Sequence, residues 1–248
     1  MTSIDLNCDL GEGYSHDAEL MGIITSANIA CGGHAGDEAT MSATVRLAIE
    51  KGVAIGAHPG YQDKENFGRN PLELSADEII NLIAEQITQL RNIAERHGGV
   101  ISHVKPHGAL YNQAADYPEI SSAIALAVRS VDPSLIVFGL SNSALLDEAR
   151  NAGLRVVGEA FADRRYTASG RLATRSIEGA VIKDPVVAAE QALRIAKRQP
   201  ISTIDGKEVR IEAETICLHG DGVNAVSTAR AMRRFLEDNG IEVRRYDR

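Results

Sequence analysis

The segment Ile101-Ser102-His103-Val104-Lys105-Pro106-His107-Gly108-Ala109-Leu110-Tyr111-Asn112 decides how the rest of the chain is interpreted. It begins as an apolar, strand-like run and breaks at its proline and its glycine. His103, Lys105 and His107 are spaced two apart, so the first two face one side of a strand and the third lies just past its end. A buried lysine between two histidines requires charged partners or a chemical task. Other segments should therefore bring partners to the same place.

Strand-like apolar runs alternate with amphipathic helices on both sides of this segment. A helix begins at Asp37 and ends at Gly52, and a longer one begins at the capping-box pair Ser75 and Glu78. Such alternation predicts βαβ units and a parallel sheet. Seven repeats favour a short (β/α) barrel over an open sheet, in one domain spanning 1–248. Besides the opening segment, the predicted strands are 4–10, 26–31, 53–57, 135–140, 155–160 and 215–218.

Composition and charge narrow the class of partner. The 248 residues carry a net charge of −8, only 4% aromatic residues and no Trp. This argues against nucleic acid and anionic membranes as partners. No apolar run reaches the ~20 residues of a membrane span, and the N-terminus has no signal-peptide pattern. The three cysteines are far apart, which is typical of reduced thiols in a cytoplasmic protein.

Polar side chains stand at the ends of six of the seven predicted strands. In parallel α/β barrels the chemistry lies at the carboxyl ends of the strands, so these side chains should meet at one rim. We expect Asp9, Lys105, Glu159 and His219 to converge on a pocket. The strand-end candidates are Asn7, Asp9, Glu12, Asn28, His34, Asp37, His58, His103, Lys105, His107, Glu159, Asp163, Arg164, Arg165, Tyr166, His219 and Asp221.

Several of these residues have simpler explanations when they are taken one at a time. Asp37 is expected to cap a helix, and His103, which lies inside its strand, is expected to be a hydrogen-bonded interior group. Asp163 and the two arginines after it could hold their long loop by ion pairs. The functional interpretation therefore depends on the convergence of the set.

The residue types indicate hydrolysis of an amide in a small acidic substrate. Asp9 and Glu159 supply carboxylates for acid–base catalysis. Lys105 can stabilise an oxyanion or bind a substrate carboxylate. His58, His107 and His219 can relay protons or hydrogen-bond the substrate, and the glycine-rich turns after the second and seventh strands offer backbone N–H groups to an anion.

A divalent metal held by Asp9, His34 and His58 is the second interpretation. The chain has no His-x-x-x-His or His-Glu-x-x-His spacing, so we place the metal second and predict no metal ligands. The sequence also lacks a G-x-x-x-x-G-K-[ST] run, and it therefore has no P-loop of its own.

Beyond single residues, the chain resembles the LamB/YcsF family, which includes the A subunit of bacterial 5-oxoprolinase. The resemblance spans nearly the whole chain. It is carried by the blocks DLNCDLGE at 5–12, SANIACGGHAGD at 26–37, GAHPG at 56–60, FGR at 67–69, HVKPHGALYN at 103–112, EAFADR at 159–164 with Tyr166, and CLHGD at 217–221.

This resemblance implies a seven-stranded (β/α) barrel of the glycoside hydrolase/deacetylase type. It also implies ATP-dependent conversion of 5-oxo-L-proline to L-glutamate, with ATP as a co-substrate handled together with two partner subunits, B and C. On this interpretation Asp9 or Glu159 activates water, Lys105 steadies the oxyanion or phosphate, and other side chains hold the small-molecule substrate. The predicted substrate-binding residues are Asn7, Asn28, His34, His58, His107, Arg165, Tyr166, His219 and Asp221.

Two other functions remain open from the sequence. One is a metal-dependent deacetylase acting on a carbohydrate or a related amide. The other is a non-catalytic member of the same complex, for which replacing Lys105 would leave turnover unchanged.

Overall fold

The computed structural model describes residues 2–218 and 225–246. Its ten strands are β1 Thr2–Leu10, β2 Ser26–Ala30, β3 Ala54–His58, β4 Ile101–Val104, β5 Ile136–Leu140, β6 Arg155–Phe161, β7 Ile201–Ser202, β8 Glu208–Val209, β9 Thr215–Leu218 and β10 Ile241–Val243. The helices are α1 Asp17–Met21, α2 Glu38–Lys51, α3 Ala76–Arg96, α4 Gly108–Asp116, α5 Pro118–Val131, α6 Ala144–Asn151, α7 Pro185–Ala196 and α8 Ala225–Asp238.

Seven parallel strands close into a barrel. The order is β1-β2-β3-β4-β5-β6-β9, and β9 pairs back onto β1 with Asp5 opposite Thr215. The predicted seven-stranded (β/α) barrel is therefore confirmed. β10 extends the sheet outside the barrel by pairing with the first residues of β1, and β7 and β8 form an antiparallel hairpin.

The helices begin largely where the sequence indicates. Asp37 caps α2 by accepting from the backbone N–H of Thr40, and Ser75 with Glu78 forms the capping box of α3. One helix differs from the prediction, because α4 starts at Gly108, with only three residues between it and the end of β4. The sequence indicates a helix only from 116, since a proline and a glycine at the end of β4 are typical of a loop.

Polar side chains, rather than a purely apolar filling, occupy the inside of the barrel. Along β1, Asp5, Asn7 and Asp9 share one parity, and Asn7 reaches across to β6, where its Nδ2 donates to Glu159 at 2.9 Å. The intervening residues of β1 are buried in the apolar core that the strands and helices share. Strand alternation thus sorts one strand into a polar inner face and an apolar outer face.

His103 on β4 fits inside the barrel because the neighbouring strand has a glycine. A Cβ placed on Gly56 would lie 2.0 Å from the His103 Nε2. The ring stacks on Phe138 with a centroid distance of 4.2 Å, and its Nε2 lies 2.9 Å from the Asn28 amide oxygen. His103 is therefore the interior hydrogen-bonding group that its position in the sequence predicts. Burial, reinforced by the charge of Lys105, lowers its pKa to about 3.

Asp5, at the lower end of the barrel, gives folding stability a pH dependence. Hydroxyl groups of Thr25 and Ser26 donate to it at 2.6 and 2.7 Å, and burial nevertheless raises its pKa to about 6. The folded protein then holds this proton more tightly than the unfolded chain. Its stabilising contribution is therefore present below about pH 4 and is lost as the pH rises through about 6.

Replacing Asp5 by Asn should remove this dependence. The wild-type free energy of unfolding, measured relative to Asp5→Asn by urea denaturation, should fall by up to about 3 kcal/mol between about pH 4 and pH 7. Because both proteins share all other titrating groups, their difference isolates Asp5. A difference that stays constant across this range would contradict the assignment.

Two further observations complete the fold. In 2–218 and 225–246, no helix has the length and apolar character needed to cross a membrane. Cys8, Cys31 and Cys217 are all buried free thiols, in agreement with the sequence prediction.

Candidate active site

A pocket of about 380 Å³ opens at the carboxyl ends of the barrel strands. Its wall combines acidic, basic, imidazole and aromatic side chains. Residues that line it include Asp9, Glu12, His58, Phe67, Arg69, Lys105, His107, Tyr111, Asn112, Phe161, Arg164, Leu172 and Arg175.

Lys105 stands at the centre of the polar contacts below this pocket. It follows β4, and its Nζ lies 2.8 Å from Glu159 Oε1 and 3.0 Å from Asp9 Oδ1. It also donates to the Asn7 amide oxygen at 3.3 Å. Burial lowers the pKa of Lys105, but the neighbouring carboxylates, Asp9 foremost, outweigh it and hold the pKa well above its ordinary value. The lysine is thus a fixed cation between two strands that carry carboxylates.

The two carboxylates differ in their access to the pocket. About a fifth of the Asp9 side chain is exposed (21%), whereas the Glu159 side chain is fully buried. Tyr111 donates to Glu159 at 2.7 Å, and Asn7 and Lys105 occupy its other oxygen. Burial raises the pKa of Asp9, but the charges of His58 and Lys105 hold it well below its usual range. Asp9 is therefore ionised, and it is the carboxylate that a pocket ligand can reach.

An amide pair orients Asp9 from below. The Asn28 Nδ2 donates to Asp9 Oδ1 at 2.8 Å and to the Asn7 amide oxygen at 2.7 Å. His103 in turn contacts the amide oxygen of Asn28, which fixes which end of that side chain faces upward. Asn7 and Asn28 are fully buried, so they support the pocket from beneath rather than line it.

A cluster of three histidines and Glu12 lies beside Asp9. Its members follow or end four consecutive strands: Glu12 after β1, His34 after β2, His58 at the end of β3 and His107 after β4. One nitrogen or oxygen atom from each lies within 4.8 Å of the others. We call this group the Glu–His cluster. The rings of His34 and His107 stack with centroids 3.6 Å apart.

Backbone carbonyl groups fix the protonation of two rings in the Glu–His cluster. His58 Nδ1 lies 2.7 Å from the Lys105 carbonyl oxygen, and His107 Nε2 lies 3.0 Å from that of Phe67. A carbonyl oxygen only accepts, so these two nitrogens carry the hydrogens. The remaining nitrogens, His58 Nε2 and His107 Nδ1, face each other at 2.9 Å. Two neutral rings would thus place lone pair against lone pair, and the contact needs a proton or another cation.

Burial keeps the stacked histidines neutral. It lowers the pKa of His34 and of His107 to about 2 each, with the charge of His58 adding to the effect. Burial also acts to lower the pKa of His58. The negative charge of Asp9, whose Oδ2 is 3.4 Å away, outweighs burial, and the pKa of His58 is raised. Within the cluster His58 is therefore the ring that accepts positive charge.

An unusual backbone conformation at Phe67 supports the stacked rings. Phe67 adopts a φ of 56°, in the left-handed region that bulky residues rarely occupy. Its ring contacts His34 and His107 edge-on, at centroid distances of 5.5 and 5.4 Å. Gly68 follows, and a Cβ there would lie 2.8 Å from the Cβ of His34. Strain of this kind persists where the surrounding structure enforces it, commonly at functional sites.

The structure brings together most of the residues predicted from sequence, but not all. Asp9, Lys105, Glu159, Asn7, Asn28, His34, His58 and His107 lie in or directly beneath the pocket. Arg165 and Tyr166 are not among the residues that line the pocket, and their assignment to the substrate stays a prediction. The Arg165 guanidinium donates to the Ser202 carbonyl, and the buried Tyr166 hydroxyl accepts from the Phe161 N–H. His219 and Asp221 lie outside the described residues.

Other pocket residues escape prediction from the sequence. Arg164 is one of the strand-end candidates, but the sequence assigns Arg165 rather than Arg164 to the substrate, and it is Arg164 that lines the pocket. Tyr111 lies on α4, a helix that the sequence does not indicate, and its hydroxyl donates to Glu159. Arg69 and Arg175 come from long loops, where no periodicity indicates which side chains turn inward.

Comparisons with known proteins agree over the whole chain. A family model described as "LamB/YcsF family" matches residues 4–248. The chain is 48% identical over 246 residues to a protein of Heliobacterium modesticaldum named as the A subunit of 5-oxoprolinase. It is 47% identical over 245 residues to the protein of the same name from Staphylococcus carnosus. In both cases 97% of each chain is covered.

A solved structure agrees with the fold. The lactam utilization protein from Thermus thermophilus superposes with a TM-score of 0.93 at 45% sequence identity. The match covers 98% of this chain and 99% of that one. The similarity to this solved structure therefore covers nearly the full length of both chains.

Proposed function

This chain belongs to the LamB/YcsF family, and on that premise we propose that it is the component of a 5-oxoprolinase that opens the ring of 5-oxo-L-proline to give L-glutamate. The observation that carries the proposal is the near-half identity to two proteins named as the A subunit of 5-oxoprolinase, over 97% of each chain. The cation–carboxylate pair Lys105–Asp9 at the pocket supports it, because the pair suits the hydrolysis of an amide.

The pocket suits a small acidic lactam in size and charge. Its volume of about 380 Å³ is at the lower end of the range for small-molecule sites. Three arginines, Arg69, Arg164 and Arg175, also contribute to its lining. We assign them to the substrate carboxylate or to a phosphate group, since a guanidinium group binds both in a bidentate manner.

Asp9 and Lys105 would divide the chemistry between them. Asp9 takes a proton from a water molecule, whose oxygen attacks the carbonyl carbon of the lactam. Lys105 stabilises the negative charge that develops on the lactam oxygen or on a phosphate attached to it. The carbon–nitrogen bond then breaks, and Asp9 returns the proton to the departing nitrogen, which becomes the amino group of glutamate. Where the lactam oxygen carries a phosphate, this cleavage leaves an acyl phosphate, and a second water molecule hydrolyses it to inorganic phosphate and the side-chain carboxylate of glutamate. Glu159 holds Lys105 in place from beneath.

Partner subunits would supply the ATP-dependent step. The chain contains no P-loop sequence, and opening an unstrained lactam is unfavourable without coupling. We assign ATP use to the 5-oxoprolinase subunits B and C, which would activate the lactam before this barrel opens it. On this division the hydrolytic pocket, but not the handling of ATP, belongs to this chain.

Reconstitution tests this division. The three-subunit mixture should release glutamate from 5-oxoproline and ATP, and the isolated chain should release none above the background of buffer. Leaving out this chain alone should also abolish release, with heat-denatured chain as the matched control. Full turnover by the isolated chain, or by subunits B and C without it, would contradict the proposal.

A further inference from the structure

We propose that the Glu–His cluster (Glu12, His34, His58 and His107) is a binding site for one divalent transition-metal ion beside the pocket. The inference goes beyond the proposed reaction and does not depend on it, because it stands on the geometry of four side chains. The sequence offers no local metal motif, since the four residues come from four separate strand ends. The barrel closure, rather than a short spacing, brings them together.

Three of the distances within the Glu–His cluster match those around a bound ion, and the separation between Glu12 and His58 is longer. Metal–ligand bonds of about 2.0–2.2 Å place neighbouring ligand atoms about 2.8–3.1 Å apart in octahedral geometry and about 3.3–3.6 Å apart in tetrahedral geometry. Glu12 Oε1 lies 3.1 Å from His34 Nε2, 3.4 Å from His107 Nδ1 and 3.9 Å from His58 Nε2. The separation between His58 Nε2 and His107 Nδ1 is 2.9 Å. Small side-chain movements would complete a coordination shell.

The orientation of the rings also matches metal ligation. His58 and His107 each donate one ring N–H to a backbone carbonyl, so the nitrogen that faces the cluster carries the lone pair. This is the arrangement in which metal-binding histidines are usually held. His34 turns its Nε2 toward Glu12, and its Nδ1 has no hydrogen-bond partner among the described residues. His34 therefore directs its Nε2, the nitrogen that contacts Glu12, at the other members of the cluster.

The ligand types select the class of metal. Three imidazole nitrogens and one carboxylate oxygen suit Zn²⁺, Co²⁺ or a related first-row ion, whereas Mg²⁺ and Ca²⁺ prefer all-oxygen sites. Glu12, His58 and His107 all line the pocket, so a bound ion would adjoin the substrate space. When bound, it would supply a Lewis acid there.

A single proton between His58 and His107 is the competing occupant. It would relieve the contact between their lone pairs and, by making His58 cationic, would pair with Asp9 at 3.4 Å. A shared proton does not explain why Glu12 Oε1 lies within 3.9 Å of all three histidines, whereas a metal ion does. Metal binding and protonation can therefore be told apart by measuring binding directly.

The test uses purified chain stripped with a chelator and then dialysed against Zn²⁺, or against Co²⁺ followed by its visible absorption spectrum. Wild-type protein should take up about one ion per chain and give the spectrum of Co²⁺ with nitrogen and oxygen ligands. Glu12→Gln should weaken binding by about tenfold or more, because it removes a ligand charge and the loss of an outer-shell partner alone typically costs about 10–100-fold. The matched control is His97→Gln, at an exposed histidine that contacts Ser42 outside the cluster, and it should bind like wild type.

A second readout does not require the variant to fold. Zn²⁺ at about 100 times its dissociation constant should raise the unfolding temperature of the wild-type chain by roughly 5–10 °C, and Mg²⁺ should not. Absence of uptake by the wild type, with no thermal shift, would overturn the proposal and leave the shared proton as the occupant. Equal uptake by wild type and a folded Glu12→Gln would also overturn it.

Discussion

Replacing Asp9 by Asn is expected to lower kcat for glutamate formation by the three-subunit mixture by about 10²–10⁴-fold, the range for loss of a general base. Replacing Glu159 by Gln should cost only about tenfold, as for a supporting group. The difference follows from access, since 21% of the Asp9 side chain is exposed and Glu159 is fully buried. Of the two carboxylates, Asp9 is the one that can reach a water molecule in the pocket.

The matched pair of variants makes this prediction decisive. Both changes replace a carboxylate with its amide, and both residues contact Lys105, so a general loss of negative charge near the lysine affects both alike. Steady-state rates should be compared at saturating ATP, with circular dichroism as a check on folding. A larger loss for Glu159→Gln than for Asp9→Asn would reverse the assignment of the base.

Replacing Lys105 by Met is expected to abolish turnover and to destabilise the barrel. Removing one partner of a buried ion pair typically costs about 3–5 kcal/mol, because the remaining charge is left uncompensated. Here two carboxylates would lose their cation, and their oxygens lie 2.8 and 3.0 Å from the lysine nitrogen. Separately from the loss of stability, the loss of the oxyanion-stabilising charge should lower kcat by about 10²–10³-fold or more. Urea denaturation and glutamate release measure the two effects separately.

A double variant separates the structural from the chemical role of Lys105. Lys105→Met combined with Glu159→Gln removes the buried cation together with its most buried anion. Most of the lost stability should return, since an apolar replacement of a buried pair is often neutral. Activity should not return, because the pocket still lacks its cation. If activity recovered along with stability, Lys105 would have a structural role alone.

The barrel could be predicted because its signals are local. Each strand is a short apolar run closed by a turn, and the capping residues of α2 and α3 lie next to the periodic segments they start. The opening of α4 could not be predicted in this way. Gly108 has a φ of 58°, and the next residue, Ala109, donates its N–H to the Gly68 carbonyl from a distant part of the chain. Such tertiary contacts have no signal in the local sequence.

The candidate site was predictable to the extent that strand parity determines direction. His103 and Lys105 follow that rule, as do Asn7 and Asp9. Beyond the strand ends the rule no longer applies, and the residue that lines the pocket is Arg164 rather than Arg165, which the sequence assigns to the substrate. In loops the direction of a side chain depends on contacts that no periodicity indicates, such as the donation from Arg164 to the Ala173 carbonyl.

The Glu–His cluster illustrates the same limit. The sequence groups His34 and His58 with Asp9 as its metal alternative, whereas the structure groups them with Glu12 and His107. Glu12 takes the place of Asp9 in the cluster because of the turn after β1, where Gly11 has a φ of 74° and its N–H donates to Asp17 at 2.8 Å. This turn is part of the path that brings Glu12 over the ends of the next three strands. No pairwise spacing in the sequence contains that information.

The most direct test of the central claim, that this pocket opens a lactam activated by the partner subunits, is to follow glutamate release and ATP hydrolysis together in one reaction. The three-subunit mixture would contain either the wild-type chain or Asp9→Asn. With wild type, glutamate should appear in step with ATP consumption. With Asp9→Asn, glutamate release should fall by about 10²–10⁴-fold although the complex still assembles. Glutamate release at the wild-type rate from the Asp9→Asn complex would contradict the account.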